Sequence, residues 1–146
     1  MNSQPLKLKA QDAEDIQVIA TVLQDAIAPV CDMLYNAIEK NFIMVVHRFR
    51  WDCVDEKPNL TSESHCFERI CCALDMDGVE SVQRQGFEQT EVNRMLDLLT
   101  IVQEAEELQL IFAGGARLRL KLSNWRLKLE DFGEPWPTQR QPCHTA

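Results

Sequence analysis

One stretch, residues 108–122 with the sequence LQLIFAGGARLRLKL, constrains the fold more than any other part of the chain. Two runs of alternating apolar and polar residues flank a Gly-Gly pair, and this pattern predicts a β-hairpin. A two-residue loop would mix apolar and polar side chains on both faces. A three-residue loop, Ala113–Gly115, places Leu110 opposite Leu118 and makes one face apolar and the other polar. We therefore predict this loop, with Gly115 in the left-handed conformation that three-residue hairpins need.

The same register makes three further cross-strand pairs: Leu108 with Leu120, Gln109 with Arg119, and Glu107 with Lys121. A phosphate-binding loop would need a helix after the glycines, whereas the sequence predicts a strand there. The hairpin therefore indicates a type of fold but no catalytic or ligand-binding site.

The N-terminal segment predicts a short strand followed by one helix. Residues 6–10 alternate as a strand does. Asp12 is a good N-cap, and apolar residues recur at helical spacing as far as residue 27. Pro29 disfavours helical conformation in the residue before it, so we predict a helix over 12–27 that covers one face of a sheet.

Residues 31–51 predict a second hairpin, with a three-residue turn at 39–41. This register collects the odd-numbered, mostly apolar residues on one face and pairs Asp32 with Arg48 on the other. His47 is then the one strongly polar residue on the apolar face. It is either a general base or ligand, because histidine titrates near neutrality, or a core histidine bonded to a backbone carbonyl. We favour the second, since no carboxylate nearby in sequence could orient the ring.

The rest of the chain predicts more strands, with less certain boundaries. Residues 65–76 and 79–85 are predicted strands that meet at an Asp-Gly turn signal, through a bulge or a longer loop. Residues 90–103 fit a helix up to about residue 95 followed by a strand, and periodicity alone does not decide between helix and strand. Residues 125–129 predict a last strand, which Gly133 and the proline at 135 would end.

Together these elements predict one α+β domain over residues 1–134 with an irregular C-terminal tail over 135–146. The domain is a mainly antiparallel twisted sheet or partly closed barrel of about seven to nine strands, built of β-hairpins and covered by the N-terminal helix. A pleckstrin-homology-like roll is a neighbouring possibility.

Charge limits the classes of partner. The formal net charge of −8 disfavours general binding to nucleic acids or to anionic membranes. Residues 75–107 contain nine acidic and two basic side chains, whereas residues 113–129 contain five basic and no acidic ones. These segments either neutralise each other across strands, which we favour, or form a basic strip that receives an anion or an acidic partner.

The cysteines and the hydropathy pattern predict no cofactor. Neither metal-ligand nor disulfide spacing is found among the six cysteines, Cys31, Cys53, Cys66, Cys71, Cys72 and Cys143. We expect reduced, mostly buried thiols and no metal. No apolar run approaches the roughly 20 residues of a membrane helix, and the N-terminal segment becomes acidic where a signal peptide would be apolar. A cytoplasmic location without membrane contact is the expectation.

Four short motifs carry a family resemblance: LQDA at 23–26, RFRW at 48–51, FAGG at 112–115 with the basic strand after it, and DFGEPW at 131–136 with RQP at 140–142. In this combination the chain resembles a small uncharacterised bacterial family of domains of unknown function, over nearly its whole length. The family has no assigned activity, so it implies no catalytic residues. It implies a strand for 96–102 and an asparagine where this chain has His47, which argues against His47 as a shared catalytic group.

Three hypotheses for function follow. The first is a non-enzymatic binding or assembly domain that meets a protein partner or a second copy through strand edges and a basic strip of Arg117, Arg119 and Lys121. The second is an enzyme or small-ligand binder with a pocket beside the loop 53–64, for which the candidate polar groups are His47, Arg48, His65 and Arg69. The third, nucleic-acid binding with Trp125 stacking on bases, is disfavoured by the net charge.

Overall fold

One helix and eight strands make up the fold in the computed structural model, which describes residues 5–50 and 67–138. In chain order they are β1 (Lys7–Ala10), α1 (Ala13–Val22), β2 (Ile27–Pro29), β3 (Met33–Asn36), β4 (Asn41–Phe49), β5 (Phe67–Gln85), β6 (Met95–Glu104), β7 (Glu107–Phe112) and β8 (Arg117–Thr138). Short 3-10 turns, Val30–Asp32 and Ala113–Gly115, join β2 to β3 and β7 to β8.

Six of the strands close into a barrel. Their order is β8-β5-β4-β2-β6-β7, and β7 pairs back to β8, so that each of the six has a neighbour on both sides. The two remaining strands lie outside this cycle, because β1 adds to β8 and β3 adds to β4. All of these pairings are antiparallel, which confirms the predicted α+β class and the partly closed barrel.

The barrel interior is filled with aliphatic and aromatic side chains. The inward residues alternate along each strand, as Phe42, Met44 and Val46 do along β4. Helix α1 covers the barrel with its apolar stripe, of which Ile16 and Ile19 are buried. A core of this size is the main source of stability for a chain of this length.

The β7–β8 hairpin has the predicted register. Leu110 lies opposite Leu118 and Gln109 opposite Arg119, and the amide of Phe112 donates to the carbonyl of Ala116 across a three-residue loop. The other predicted pairs, Leu108 with Leu120 and Glu107 with Lys121, are also present. Gly114 and Gly115 both have positive φ, 82° and 87°. The requirement that one face of the hairpin be apolar and the other polar therefore identified the loop correctly.

The predicted β3–β4 register was wrong. The strands pair Asn36 with Asn41, which leaves a four-residue turn, 37–40, and reverses the faces. The side-chain oxygen of Asn36 accepts from the amides of Ile38 and Glu39, and Lys40 takes a positive φ of 53°. These local bonds stabilise the longer turn. The even-numbered residues of β4 therefore face the core, and the predicted pairing of Asp32 with Arg48 does not form.

The predicted hairpin at Asp77-Gly78 was also wrong, because β5 runs through this point as one strand. Its first part pairs with β4 and with the second half of β8, and its last part pairs with the first half of β8. Gly78 forms a bulge with φ of 84°, and the register shifts on either side of Val79. The bulge or longer loop predicted here belonged to a hairpin turn, whereas the observed bulge lies within one continuous strand.

Strand β8 likewise continues past both of its predicted breaks. Gly133 has φ of 77° within the strand, and pairing with β5 resumes at Trp136 and extends to Thr138. The first four residues of the predicted tail therefore belong to a strand, and the later ones lie outside the described residues.

The helix is shorter than predicted. Asp12 caps it by accepting from the amide of Asp15, as expected, but the helix ends at Val22. Asp25 turns the chain with φ of 65°, so that β2 can pair with β4 on one side and β6 on the other. Residues 95–104 form β6, which confirms the strand over 96–102, and the helix expected before it is replaced by turns.

Candidate functional site

A buried ion pair joins β4 to β8 at one end of the barrel. Arg48 donates two hydrogen bonds to Asp131, Nε to Oδ1 and Nη2 to Oδ2, each 2.8 Å long. Both side chains are almost fully buried. The amide of Leu6 also donates to Asp131 Oδ2, which attaches the N-terminal segment to the pair. The charges satisfy each other, so this site is a structural link and has no open position for a substrate.

Burial alone would raise the pKa of Asp131, but Arg48 and the Leu6 amide outweigh it and hold that pKa below its ordinary value. The neighbouring Cys72 responds in the opposite direction. Burial first, and then the negative charge and hydrogen bonding of Asp131, raise the pKa of the Cys72 thiol. Cys72 therefore stays protonated at neutral pH and is a poor nucleophile.

His47 lies on the outer face of the barrel, not in its core. Its ring meets the ring of Trp136 edge to face, with 5.4 Å between centroids and an interplanar angle of 84°. Within residues 5–50 and 67–138, this aromatic contact is the interaction that its ring makes. The orienting carboxylate of a catalytic histidine is therefore missing from the described part of the chain.

Arg69 is held by backbone groups. Its Nη1 donates to the carbonyl of His47 at 2.9 Å and to the carbonyl of Asp25 at 3.3 Å, while its guanidinium lies 5.6 Å from the centre of the Phe49 ring. Burial lowers the pKa of Arg69, and the carboxylates of Asp97 and Asp25 oppose that change. Arg69 therefore fastens the turn after α1 to β4.

The candidate residues of the predicted pocket do not converge. Arg48 faces the barrel interior, whereas His47 and Arg69 lie on the outer side of the same wall. His65 and the loop 53–64 lie outside the described residues. The three described residues thus give the pocket hypothesis no shared cavity.

The basic strip, Arg117, Arg119 and Lys121, lines the outer face of β8 between β5 and β7. Arg119 Nε donates to Glu107 at 2.8 Å, and Arg117 donates to the side chain of Gln109 at 2.9 Å. The hydrogen bond from Arg119 lowers the pKa of Glu107. Across the strands, Glu107 therefore neutralises Arg119, whereas Arg117 bonds to an uncharged amide.

A shallow cleft of about 550 Å³ lies beside the basic strip. Its lining includes Arg119 and Lys121 but also Glu104, Glu106 and Glu107, so positive and negative groups alternate around it. Such a cleft favours neither anions nor cations strongly.

Apolar side chains form a continuous stripe on the outside of the barrel, which we call the outer strip. It crosses β3, β4, β5 and β8 through Leu34, Ile43, Val45, Ala73, Cys71 and Phe132. Leu34 is 65% exposed and Phe132 46%, and the residues between them are half-buried. Ile38, in the turn that joins β3 to β4, is 93% exposed.

Charged residues border the outer strip. Asp75 lies beside Ile43, Lys128 lies opposite Asp75 on the next strand, and Glu130, which forms a 3.6 Å ion pair with Lys7, lies beside Ala73. An apolar centre with a charged border is the usual composition of a protein-binding surface.

Comparison with family models decides the affiliation of the chain. The model described as "Protein of unknown function (DUF2948)" matches residues 6–144. The chain belongs to the DUF2948 family. No curated protein and no solved structure matches it.

Several features of this DUF2948 domain were missed at the sequence level. Asp131 was noticed only within a motif, and its pairing with Arg48 joins positions 83 residues apart. The contact of His47 with Trp136 is similarly remote. The outer strip was missed because its residues alternate with equally apolar core residues along β4. The sequence did carry a signal in that double alternation. When a strand is apolar on both faces, either another element covers its second face or apolar side chains are exposed there.

Among the described residues of this DUF2948 domain, no group of three or more histidine, cysteine, aspartate or glutamate side chains could hold a metal ion. No helix in the described ranges is long and apolar enough to cross a membrane. The expected absence of metal, cofactor and membrane partners stays a prediction.

Proposed function

We propose that this DUF2948 domain is a non-enzymatic protein-binding or assembly domain that uses the outer strip as its binding surface. The observation that carries this proposal is the continuous apolar stripe from Leu34 to Phe132 on a barrel whose core is already filled. Burying exposed apolar area against a partner contributes about 25 cal/mol per Å². The apolar area of the outer strip is still exposed after folding, so its burial against a partner would contribute to binding.

The charged groups that could serve catalysis support the same proposal. Arg48 and Asp131 neutralise each other in the interior, and Arg69 is engaged by backbone carbonyls. An enzyme or small-ligand site near His47 and His65 remains the alternative, but no described cavity favours it. The proposed setting is the bacterial cytoplasm, in line with the acidic composition and the sequence resemblance.

Site-specific photo-crosslinking in the native host tests the proposal. A photoreactive amino acid at Ile43, within the outer strip, should give a discrete adduct. The same group at Val92, an exposed position on a different part of the surface, is the matched control and should give none. Equal adducts at both positions, or none at Ile43, would contradict the proposal.

The basic strip is a second candidate surface, favoured by its cleft. The same photoreactive group at Gln83, which lies opposite Arg119, tests it. An adduct from Gln83 alone would move the binding surface to the basic strip. Mass spectrometry of each adduct identifies the captured protein.

A further inference from the structure

We propose that two copies of this chain associate through β3, with β3 pairing antiparallel to β3 of the second copy about a two-fold axis at Leu34. This inference rests on the proposed function and names its partner, because Leu34 is the exposed end of the outer strip.

Two edge strands in residues 5–50 and 67–138 differ in how they meet solvent. β1 pairs only with β8 and carries Lys7 and Lys9, and β3 pairs only with β4 in the described residues. Proteins commonly protect edge strands from unwanted pairing with lysine, proline or bulges. β3, with the sequence MLYN, has no charge and no proline. Its edge therefore lacks the protection that β1 has, although its length of four residues limits how tightly it binds.

Two-fold symmetry, together with the inward or outward direction of each side chain, restricts the register of the β3–β3 pair. Residues directly opposite each other in an antiparallel pair share a face. An axis between two residues would pair outward Leu34 with inward Tyr35, so the axis must pass through a residue. An axis at Leu34 places this side chain against its own copy and Met33 against Tyr35. The two outer strips then join into one apolar surface through Ile43, Leu34 and their symmetry mates.

The polar groups at the ends of this pairing are complementary. Asp32, the exposed last residue of the 3-10 turn before β3, comes near Asn36 of the second copy at the end of the paired strands. The Asn36 oxygen accepts from the amides of Ile38 and Glu39, so its NH₂ group is the part available to a carboxylate. Asp32 is the only charged residue between positions 26 and 38. Two copies of a chain with a net charge of −8 repel each other, and this repulsion is weakest where the contacting surfaces carry few charged residues.

Cysteine crosslinking tests the register. In a full-length background that retains Cys72 and has serine at the other native cysteines, Leu34→Cys places two thiols on the axis. Oxidation should then give a disulfide dimer. Asn36→Cys is the register control, because its two copies would stand about 13 Å apart, too far for a disulfide. Val18→Cys, exposed on α1, controls for random collision.

Sedimentation velocity over about 1 µM to 1 mM protein tests association without a crosslink. The wild-type chain should show a concentration-dependent dimer, and Leu34→Lys should raise its dissociation constant at least about tenfold. A monomer throughout, or crosslinking at position 36 and not at 34, overturns the proposal.

The outcomes separate this inference from the proposed function. If position 34 fails to crosslink while the photoreactive group at Ile43 captures another protein, the outer strip binds a partner and the β3 dimer is wrong. If Ile43 captures only a second copy and position 34 crosslinks, both proposals stand. If neither experiment gives an adduct, both fail.

Discussion

At the residue scale, the buried pair of Arg48 and Asp131 dominates the polar chemistry of the molecule. It links β4, β8 and the backbone at Leu6 where both side chains are buried. Removal of one partner leaves the other charge buried without its carboxylate or guanidinium, which typically costs far more than the pair contributes to stability. Its importance is therefore structural.

We expect Asp131→Asn to lower the free energy of unfolding by about 3–5 kcal/mol, because Arg48 loses its bidentate carboxylate. Urea denaturation followed by circular dichroism measures this change. Lys7→Gln, which removes the exposed ion pair with Glu130, is the control and should cost less than about 1 kcal/mol. A loss below 1 kcal/mol for Asp131→Asn would show that the pair is not the link we describe.

The same carboxylate predicts how stability depends on acid. Because the pKa of Asp131 is lower in the folded than in the unfolded chain, its contribution is complete above its ordinary value of about 3.8. The contribution is lost as the pH falls from there through the folded-state pKa. Unfolding free energies measured from pH 6 to pH 2 should fall more steeply for the wild type than for Asp131→Asn. Parallel curves would contradict the assignment.

Thiol reactivity gives a third prediction at this scale. Cys72 is buried with a raised pKa, whereas Cys31 is exposed. Iodoacetamide reacts with the thiolate, so native protein should be alkylated at Cys31 long before Cys72. Peptide mapping by mass spectrometry follows both sites, and unfolding in urea should equalise them. Comparable rates in the native state would rule out the burial described for Cys72.

At the scale of elements, local signals succeeded only where the two faces of a hairpin differ clearly in polarity. The register of β7 and β8 could be predicted because only a three-residue loop places the leucines on one face of the hairpin and the arginines on the other. The β3–β4 register could not be found in this way, because Ile43 and Val45 are as apolar as their core-facing neighbours. Asp77-Gly78 was misinterpreted because a turn and a bulge use the same residues, and the partner that keeps β5 straight lies about 45 residues away.

The bulge in β5 makes its own prediction. A Cβ atom at Gly78 would lie 2.5 Å from the carbonyl oxygen of Ser123 and 2.8 Å from Cα of Trp125, both in the backbone. Gly114 has a similar φ, 82°, but open space around it. We expect Gly114→Ala to cost about 1–2 kcal/mol from its backbone conformation, and Gly78→Ala at least about 1 kcal/mol more. Equal costs in chemical denaturation would show that β8 is not packed this closely against the bulge.

At the scale of the whole molecule, closure of the barrel depends on β5 and β8, which each run the length of the structure and pair with each other in both halves. The sequence predicted the class, the helix and one hairpin. The order of strands around the barrel could not be predicted, because it depends on contacts between distant segments, and the outer strip had only the double alternation along β4 as a local signal. The candidate site was predicted least well, since the reversed faces of β4 place His47 on the outer side and Arg48 in the interior.

The central claim is that the outer strip serves binding and not folding. The most direct test is the double variant Leu34→Lys with Ile38→Lys, whose positions are 65% and 93% exposed. We predict that its unfolding free energy stays within about 1 kcal/mol of the wild type, because neither side chain is in the core. We also predict that the adduct formed from position 43 is lost. A large loss of stability with the adduct unchanged would contradict this account.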